Sequence, residues 1–285
     1  MAIIIDGKAL SQKTKDEIKQ KALEFENMVG RKISLAVVLV GENPASKVYV
    51  NNKIKACEYV GFKSLSFNLP AESTQEQVEE LVSSIVKDKN IDGILVQLPL
   101  PKHLNEDKIL SLIPAEKDVD GFSSENVGNL LINKPCVTAC TPSGVIKMLK
   151  STGEELSGKN AVVIGRSNIV GKPMAILLLN ENCTVTICHS KTKNLNEICS
   201  NADILVAAIG KPNFVTKEMV KEGAIIIDVG INRTESGLVG DVDFSDVCDK
   251  ASYISPVPGG VGPMTIAMLM ENTLKLAFRS ENLEF

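Results

Sequence analysis

Four groups of residues in this chain have the types and spacing to do chemistry. Tyr49 and Lys53 stand four residues apart, which on a helix puts a flat ring and an amine on one face. Gln97 lies at the end of the apolar run Gly93–Leu98, just before Pro99-Leu100-Pro101. Ligands of βα proteins bind beyond the carboxyl ends of such strands. Asp118 and Asp120 flank Val119 in the turn-rich segment Pro114–Phe122. Finally, Gly165-Arg166-Ser167-Asn168-Ile169-Val170-Gly171 separates the apolar run Ala161–Ile164 from a second one, Met174–Leu179. That order is strand, loop, helix, which aims backbone N–H groups and the positive end of a helix dipole at one spot and suits a pyrophosphate. Ser167 stands where the usual G-x-G-x-x-G pattern has its second glycine, so the loop by itself fits a dinucleotide site or an ordinary βα turn. Residue type leaves the other three groups equally open: a surface tyrosine over a solvated lysine, an amide satisfying loop backbone, aspartates closing a turn.

The elements that must position these residues follow from periodicity. Ala2–Ile5 reads as a strand, Asp6-Gly7 as a turn, and Leu10–Met28 as an amphipathic helix. Strand Ile33–Val40 leads through Asn43, a fitting N-cap, and Pro44, at the first helical position, into a helix to Val60. Strand Ser64–Leu69, helix Gln75–Lys87 and strand Gly93–Leu98 continue the alternation, which implies βαβ units and a parallel sheet. After a joining segment, Pro135–Thr141, a helix runs from Thr141 to about Lys150. Further strands are expected at Thr184–Cys188, Ile204–Ala208 and Ala224–Val229. Pro256–Pro263 holds three glycines and three prolines and opens a helix, Met264–Arg279. It lacks the G-K-[ST] ending of a nucleoside-triphosphate loop. The fold class is α/β, with two domains.

Composition narrows the function classes. A chain of 285 residues is long enough for two domains, and 44% apolar with 23% charged residues is ordinary for a globular protein. A formal net charge of −4, with Lys and Arg scattered, points away from nucleic acid. The longest apolar runs are far too short to cross a bilayer, and the N-terminus offers no secretory signal, so a cytoplasmic protein is expected. Seven cysteines include no C-x-x-C pair and are expected to be reduced, mostly buried thiols; with two histidines, no metal site is expected.

Read in order, Tyr49-Val50-Asn51-Asn52-Lys53, Val96-Gln97-Leu98-Pro99-Leu100-Pro101, Lys117-Asp118-Val119-Asp120-Gly121-Phe122, Thr141-Pro142, Gly165–Gly171 and Pro258-Gly259-Gly260-Val261-Gly262-Pro263 resemble one family. It is that of the bifunctional methylenetetrahydrofolate dehydrogenase/methenyltetrahydrofolate cyclohydrolases, and the likeness spans nearly the whole chain. It implies a folate-binding catalytic domain of βα repeats, residues 1–140 plus 265–285, and a Rossmann-type doubly wound NADP-binding domain, residues 141–264. The C-terminal helix would return to the first domain, the folate cleft would lie between the two, and the assembly would be a homodimer. The implied activity is oxidation of 5,10-methylenetetrahydrofolate with NADP+ and hydrolysis of the methenyl product to 10-formyltetrahydrofolate, within the one-carbon interconversion that serves purine biosynthesis.

The resemblance also implies roles. Lys53 is the central catalytic residue, Tyr49 stacks on the pterin-bearing substrate, Gln97 hydrogen-bonds Lys53, and Asp120 holds the pterin edge. Val50, Asn51, Asn52, Val96 and Leu98 complete the substrate site with Pro258, Gly259, Gly260, Val261 and Gly262. Gly165, Arg166, Ser167, Ser190 and the Ile231 backbone would hold the cofactor, Ile231 on its nicotinamide side. Charge adds a protonation state: hydride removal leaves a delocalised cation, which with partial burial disfavours an ammonium at Lys53, so a neutral amine is expected to assist water. Residue type favours NADP over NAD, because His189-Ser190-Lys191-Thr192 follows strand Thr184–Cys188 where an NAD site has an acid for the ribose 2′-hydroxyl. Two other readings are a sensor that binds NADP without turnover and a dehydrogenase lacking the hydrolytic step. The presence of Tyr49, Lys53, Gln97 and Asp120 argues against the first, and Lys53 against the second.

Overall fold

A computed structural model describes residues 1–235 and 237–284, including all their side chains except those of residues 44–47. The chain runs β1 (Ile3–Ile4), α1 (Gly7–Val29), β2 (Ser34–Val40), α2 (Pro44–Val60), β3 (Lys63–Leu69), α3 (Gln75–Lys87) and β4 (Gly93–Val96). Short helices α4 (Glu106–Leu110) and α5 (Ser124–Leu131) precede α6 (Cys140–Ser151), β5 (Asn160–Ile164), α7 (Gly171–Asn180), β6 (Thr184–Cys188), α8 (Leu195–Cys199) and β7 (Ile204–Ala207). The chain closes with β8 (Ile225–Asp228), a hairpin of β9 (Asn232–Thr234) and β10 (Gly237–Val239), α9 (Phe244–Val247), β11 (Tyr253–Ile254) and α10 (Val261–Ser280).

These elements form two compact units. One, residues 12–129, 134–138 and 266–285, is built on a sheet of order β3-β2-β4, all parallel. Every residue of β2 is buried, as expected for a parallel strand covered on both faces. Val38, Val78, Val82, Ile94, Val96 and Ile109 pack into its core. The segment after α4 adds a partial fourth strand, with Ile94 bridging Asp118 in parallel. Two details fix that segment. A Cβ at Gly93 would meet Val119 Cγ1 at 2.3 Å, so only glycine lets Val119 seat on β4. Asn272 of α10 donates from Nδ2 to the Val119 and Thr138 carbonyls, both at 2.9 Å.

The other unit, residues 1–11, 130–133 and 139–265, carries a six-stranded parallel sheet of order β1-β11-β8-β7-β5-β6. From β5 the chain places β6 on one side and β7 and β8 on the other, so the topological switch point lies at the carboxyl end of β5. The expected division groups residues 1–11 with the folate-binding domain. The structure differs there, because β1 is hydrogen-bonded into this sheet beside β11.

Most elements fall where periodicity predicts them. Helix α1 starts three residues early, since the Asp6 carboxylate caps it by accepting from Ala9 N at 2.9 Å. The short helices α4, α5, α8 and α9 and the β9–β10 hairpin do not show as a hydrophobic period. All seven cysteines are free thiols, five of them buried. No helix among the described residues is long and apolar enough to cross a membrane.

Substituting Gly93→Ala is predicted to displace Val119 and lower stability by about 1–3 kcal/mol, the usual cost of overpacking. Denaturant unfolding checks this, and an unchanged midpoint would show that Val119 yields freely.

Candidate active site

In the three-stranded unit, three of the four residues singled out for catalysis converge through the ends of β4 and its neighbours. Gln97 follows β4 directly, with its backbone N–H donating to the Val38 carbonyl at 2.9 Å, so it continues the strand at the ligand-bearing edge. Its side chain is committed at both ends. Nε2 donates to the Leu98 carbonyl at 2.6 Å, and Oε1 accepts from Lys53 Nζ at 2.9 Å. The amide therefore presents oxygen to the lysine, and in the expected Gln97–Lys53 hydrogen bond Gln97 is the acceptor.

Lys53 lies on α2, half-buried, with Tyr49 one turn earlier and 39% exposed. An exposed ring beside a half-buried amine leaves a flat face free for a partner. Val50 is buried, so only its backbone can reach a ligand, whereas Asn51 and Asn52 are exposed. Val96 is buried in the sheet and Leu98 half-buried.

The two aspartates of the following loop have separate tasks. Asp118 is buried and closes the turn: Oδ1 accepts from Gly121 N at 2.9 Å, and Oδ2 from Ser123 N at 2.7 Å and Asn126 Nδ2 at 3.1 Å. Lys117 is also tied down, donating to the Val86 carbonyl at 2.9 Å. Asp120 forms no hydrogen bond to any described residue. Burial pushes its carboxyl up to about 6, with the Lys53 charge pulling it down and Asp118 pushing it further up. The turn-closing reading thus belongs to Asp118, and Asp120 is left with accepting capacity toward Lys53 and the space beside it.

In the six-stranded unit, Gly165 ends β5 at φ +126°, and a Cβ there would lie 2.2 Å from the Ala208 carbonyl oxygen. A Cβ at Gly171 would lie 2.3 Å from the Gly165 carbonyl oxygen, so this glycine packs the start of α7 onto the strand end. Ser167, in the place of the missing glycine, takes up the donors of the first turn. Its Oγ accepts from Val170 N and Gly171 N at 3.1 and 3.3 Å, and its carbonyl accepts from Lys172 N. The backbone N–H groups of Arg166, Ser167, Asn168 and Ile169 have no acceptor among the described residues. The donors available to an anion are thus in the loop itself, before α7 begins.

Arg166 and Ser190 follow adjacent parallel strands in register, Ile164 opposite Cys188, and both are exposed. An exposed guanidinium, a hydroxyl and a row of unpaired N–H groups at the switch point match the charge and geometry of a dinucleotide carrying a 2′-phosphate. His189 closes its own loop, its Nδ1 accepting from Lys191 N at 3.1 Å. Ile231, after β8, is 44% exposed, and its Cδ1 would lie 3.5 Å from a Cβ at Gly262. Pro258 to Gly260 form the turn into α10, which Val261 and Gly262 open, and the Gly260 backbone packs against Gly7. Two buried carboxylates of this unit, Asp228 and Asp241, escaped sequence reasoning. The signal was present, since Asp228 ends the apolar run Ile225–Ile227 as Gln97 ends its own strand. No cluster of three or more His, Cys, Asp or Glu among the described residues is arranged to hold a metal ion.

Because the Asp120 carboxyl is raised from its ordinary value near 3.8 to about 6, the folded protein binds the extra proton between these values. Its contribution to stability is full below pH 4 and is lost as pH rises through 6. Wild type is therefore predicted to lose stability relative to Asp120→Asn from pH 4 to 6, with a constant difference above about pH 7. Urea unfolding across this range checks it; a pH-independent difference would contradict it.

Comparison with known proteins shows the family. The model of the tetrahydrofolate dehydrogenase/cyclohydrolase catalytic domain matches residues 5–120, and that of the family's NAD(P)-binding domain matches residues 139–281. The chain is 58% identical over 273 residues to the bifunctional protein FolD of Lachnoclostridium phytofermentans, covering 95% of this chain and 96% of that one. It is 57% identical over 282 residues to FolD of Campylobacter curvus, covering 98% of each. Its structure is similar to that of the bifunctional FolD methylenetetrahydrofolate dehydrogenase/cyclohydrolase of Campylobacter jejuni, with a TM-score of 0.96, 52% identity and 98% and 99% of the two chains covered. The Trypanosoma brucei methylenetetrahydrofolate dehydrogenase-cyclohydrolase, complexed with NADP and an inhibitor, gives a TM-score of 0.94 at 40% identity over 98% of each chain. With both domain models matched in order and identities above half over nearly the full length, this chain belongs to the tetrahydrofolate dehydrogenase/cyclohydrolase family.

Proposed function

We propose that this protein oxidises 5,10-methylenetetrahydrofolate to the methenyl form with NADP+ and hydrolyses that product to 10-formyltetrahydrofolate. The observation that carries the hydrolytic half is the Lys53–Gln97 hydrogen bond, Nζ to Oε1 at 2.9 Å, beside the otherwise unpaired carboxyl of Asp120. The oxidative half rests on the switch-point loop with Arg166 and Ser190. A family relative of 40% identity was solved with NADP bound.

Bound NADP+ supplies the hydride acceptor. Loss of hydride from the carbon bridging the two folate nitrogens leaves a delocalised cation, and the protein must then bring water to it. Against the bound cation, it is the deprotonated form of Lys53 that acts. Its N–H donates to Gln97, which has no proton to return because its Nε2 is engaged by Leu98. The amine lone pair is left to accept a proton from water as the oxygen bonds to the carbon. The bond to N5 then breaks as the hydroxyl becomes the formyl carbonyl and releases its proton to solvent, and the lysine returns its own proton to N5. Tyr49 stacks on the ring system, and Asp120, ionised above pH 6, accepts from the adjacent N–H donors of the pterin edge. Val50, Asn51, Asn52, Val96, Leu98 and residues Pro258 to Gly262 line the folate. Gly165, Arg166, Ser167, Ser190 and Ile231 hold the cofactor.

The working division is 1–140 plus 265–285 for folate and 141–264 for NADP, with β1 contributed to the second sheet. The enzyme acts as a cytoplasmic homodimer.

The test follows reduced nicotinamide and methenyl absorbance together in one mixture of protein, methylenetetrahydrofolate and NADP+ or NAD+. Lys53→Met is predicted to lower methenyl hydrolysis by about a hundredfold or more, the scale of a lost general base. Unimpaired hydrolysis would reject the assignment. Arg166→Ala and Ser190→Ala are each predicted to raise KM for NADP+ by about tenfold, the worth of a charge-assisted hydrogen bond, while changing KM for NAD+ little. Equal effects on both cofactors would place the 2′-phosphate elsewhere.

A further inference from the structure

Beyond the ligand-contacting residues, the six-stranded unit contains a buried construction whose purpose its core does not explain. Asp241 is fully buried and accepts four hydrogen bonds. Oδ2 takes Ile209 N at 2.7 Å and Gly210 N at 2.9 Å; Oδ1 takes Lys211 N at 2.8 Å and Asn232 Nδ2 at 3.0 Å. Asp228, 4% exposed, accepts three: Gly230 N and Asp241 N at Oδ1, and Val242 N at Oδ2, each at 2.9 Å. None of these seven donors is a cation. Two buried carboxylates have thus been taken out of water and satisfied by N–H groups alone, an expensive arrangement where a plain turn would serve the fold.

The backbone is shaped around it. A Cβ at Gly230 would lie 2.2 Å from Asp241 Oδ1, and one at Gly240 would lie 1.7 Å from Asp228 Oδ2. Each carboxylate therefore sits on the glycine beside the other strand end, and the two segments interlock. The Asp241 carbonyl extends the clasp by accepting from Val215 N at 2.9 Å.

The segments joined are those that follow β7 and β8, neighbouring strands in register with Ala207 opposite Asp228. Both lie at the carboxyl edge, where the sheet presents its ligand. Ile231 stands between Gly230, whose N–H is held by Asp228, and Asn232, whose amide is held by Asp241. It is held at both flanks, yet its side chain is 44% exposed. An apolar residue fixed this firmly while facing outward is positioned for a partner.

We infer that Asp241, interlocked with Asp228, is a positioning residue that fixes the loops after β7 and β8 so that the Ile231 segment meets the nicotinamide end of NADP in one orientation. This rests on the assignment of Ile231 to the cofactor and goes beyond it, because both carboxylates are buried with their oxygens taken up by N–H donors of the protein. The chemistry accounts for the choice of residue. A carboxylate accepts from donors on both oxygens, whereas an asparagine in the same place must turn an NH2 group toward two N–H groups whichever way its amide is flipped.

The test compares wild type, Asp241→Asn and the milder Asn232→Ala, which removes one donor and leaves three backbone donors on the carboxylate. In folded Asp241→Asn, calorimetric titration is expected to show NADP affinity reduced by about tenfold or more, the scale of lost hydrogen bonds to a charged group. Amide exchange at residues 209–211 and 230–232 is expected to accelerate. Hydrolysis of methenyltetrahydrofolate assayed without NADP is expected to stay within about twofold, since Lys53 and Gln97 share no hydrogen-bond partner with this clasp. Asn232→Ala is expected to show the same pattern at reduced size, and it decides the matter if Asp241→Asn does not fold. Unchanged NADP affinity with unchanged exchange at 230–232, alongside lowered thermal stability alone, would overturn the inference. If wild type binds NADP but turns over no folate, the proposed reaction fails while titration and exchange still judge the lock; if wild type binds no NADP, both fail.

Discussion

The chemistry of the three-stranded unit depends on the direction in which one amide faces. Gln97 has a donor end and an acceptor end, and the Leu98 carbonyl 2.6 Å away admits only the donor. The oxygen is thereby turned to Lys53, and the lysine becomes a donor in that pair whatever its charge. A neutral amine so held keeps its lone pair for something else, which is what a base needs. Reversal of this amide would instead use up the lone pair and leave Leu98 facing an oxygen. The strand supplies the rigidity, since Gln97 N continues the β2–β4 ladder onto Val38, and a residue on a ladder has little freedom to swing.

The same economy of parallel sheets recurs in the six-stranded unit. Its central strands β5, β7 and β8 are buried along most of their length while the edge strands β1 and β6 are largely exposed, and chemistry gathers where strands stop. Gly165, His189, Ala208 and Val229 each follow such a stop, and the loops they begin carry Arg166, Ser190, the Ile209–Lys211 amides and Ile231. What differs between the two halves is the source of order. In the three-stranded unit, a loop aspartate, Asp118, gathers backbone N–H groups so that Asp120 need not. In the six-stranded unit, Asp228 and Asp241 gather them for two loops at once.

The alternating strands and helices were legible because their apolar residues recur at strand or helix spacing, and Pro44–Val60, Gln75–Lys87 and Thr184–Cys188 begin and end where their patterns do. Helices of four or five residues, such as Glu106–Leu110 and Phe244–Val247, complete too little of a turn pattern to register. They are held by caps, Asn105 and Asp243, whose effect depends on local geometry. The candidate site was legible residue by residue, yet not in its division of labour. That Asp118 closes the turn and Asp120 does not is decided by which N–H groups the chain brings within 3 Å, and both are aspartates in one loop. Ser167 looked like a defect in a glycine pattern; in place, it caps the helix that the pattern serves. Asp241 does not stand out in the sequence, because its backbone donors come from residues about thirty positions earlier in the chain.

The most direct test of the account is a crystal structure of the protein with a stable analogue of the methenyl folate. The expected result is Lys53 Nζ within about 3.5 Å of the one-carbon position or of a water aligned on it, with Gln97 Oε1 still accepting from it. A lysine turned to bulk solvent, with the one-carbon position elsewhere, would contradict it.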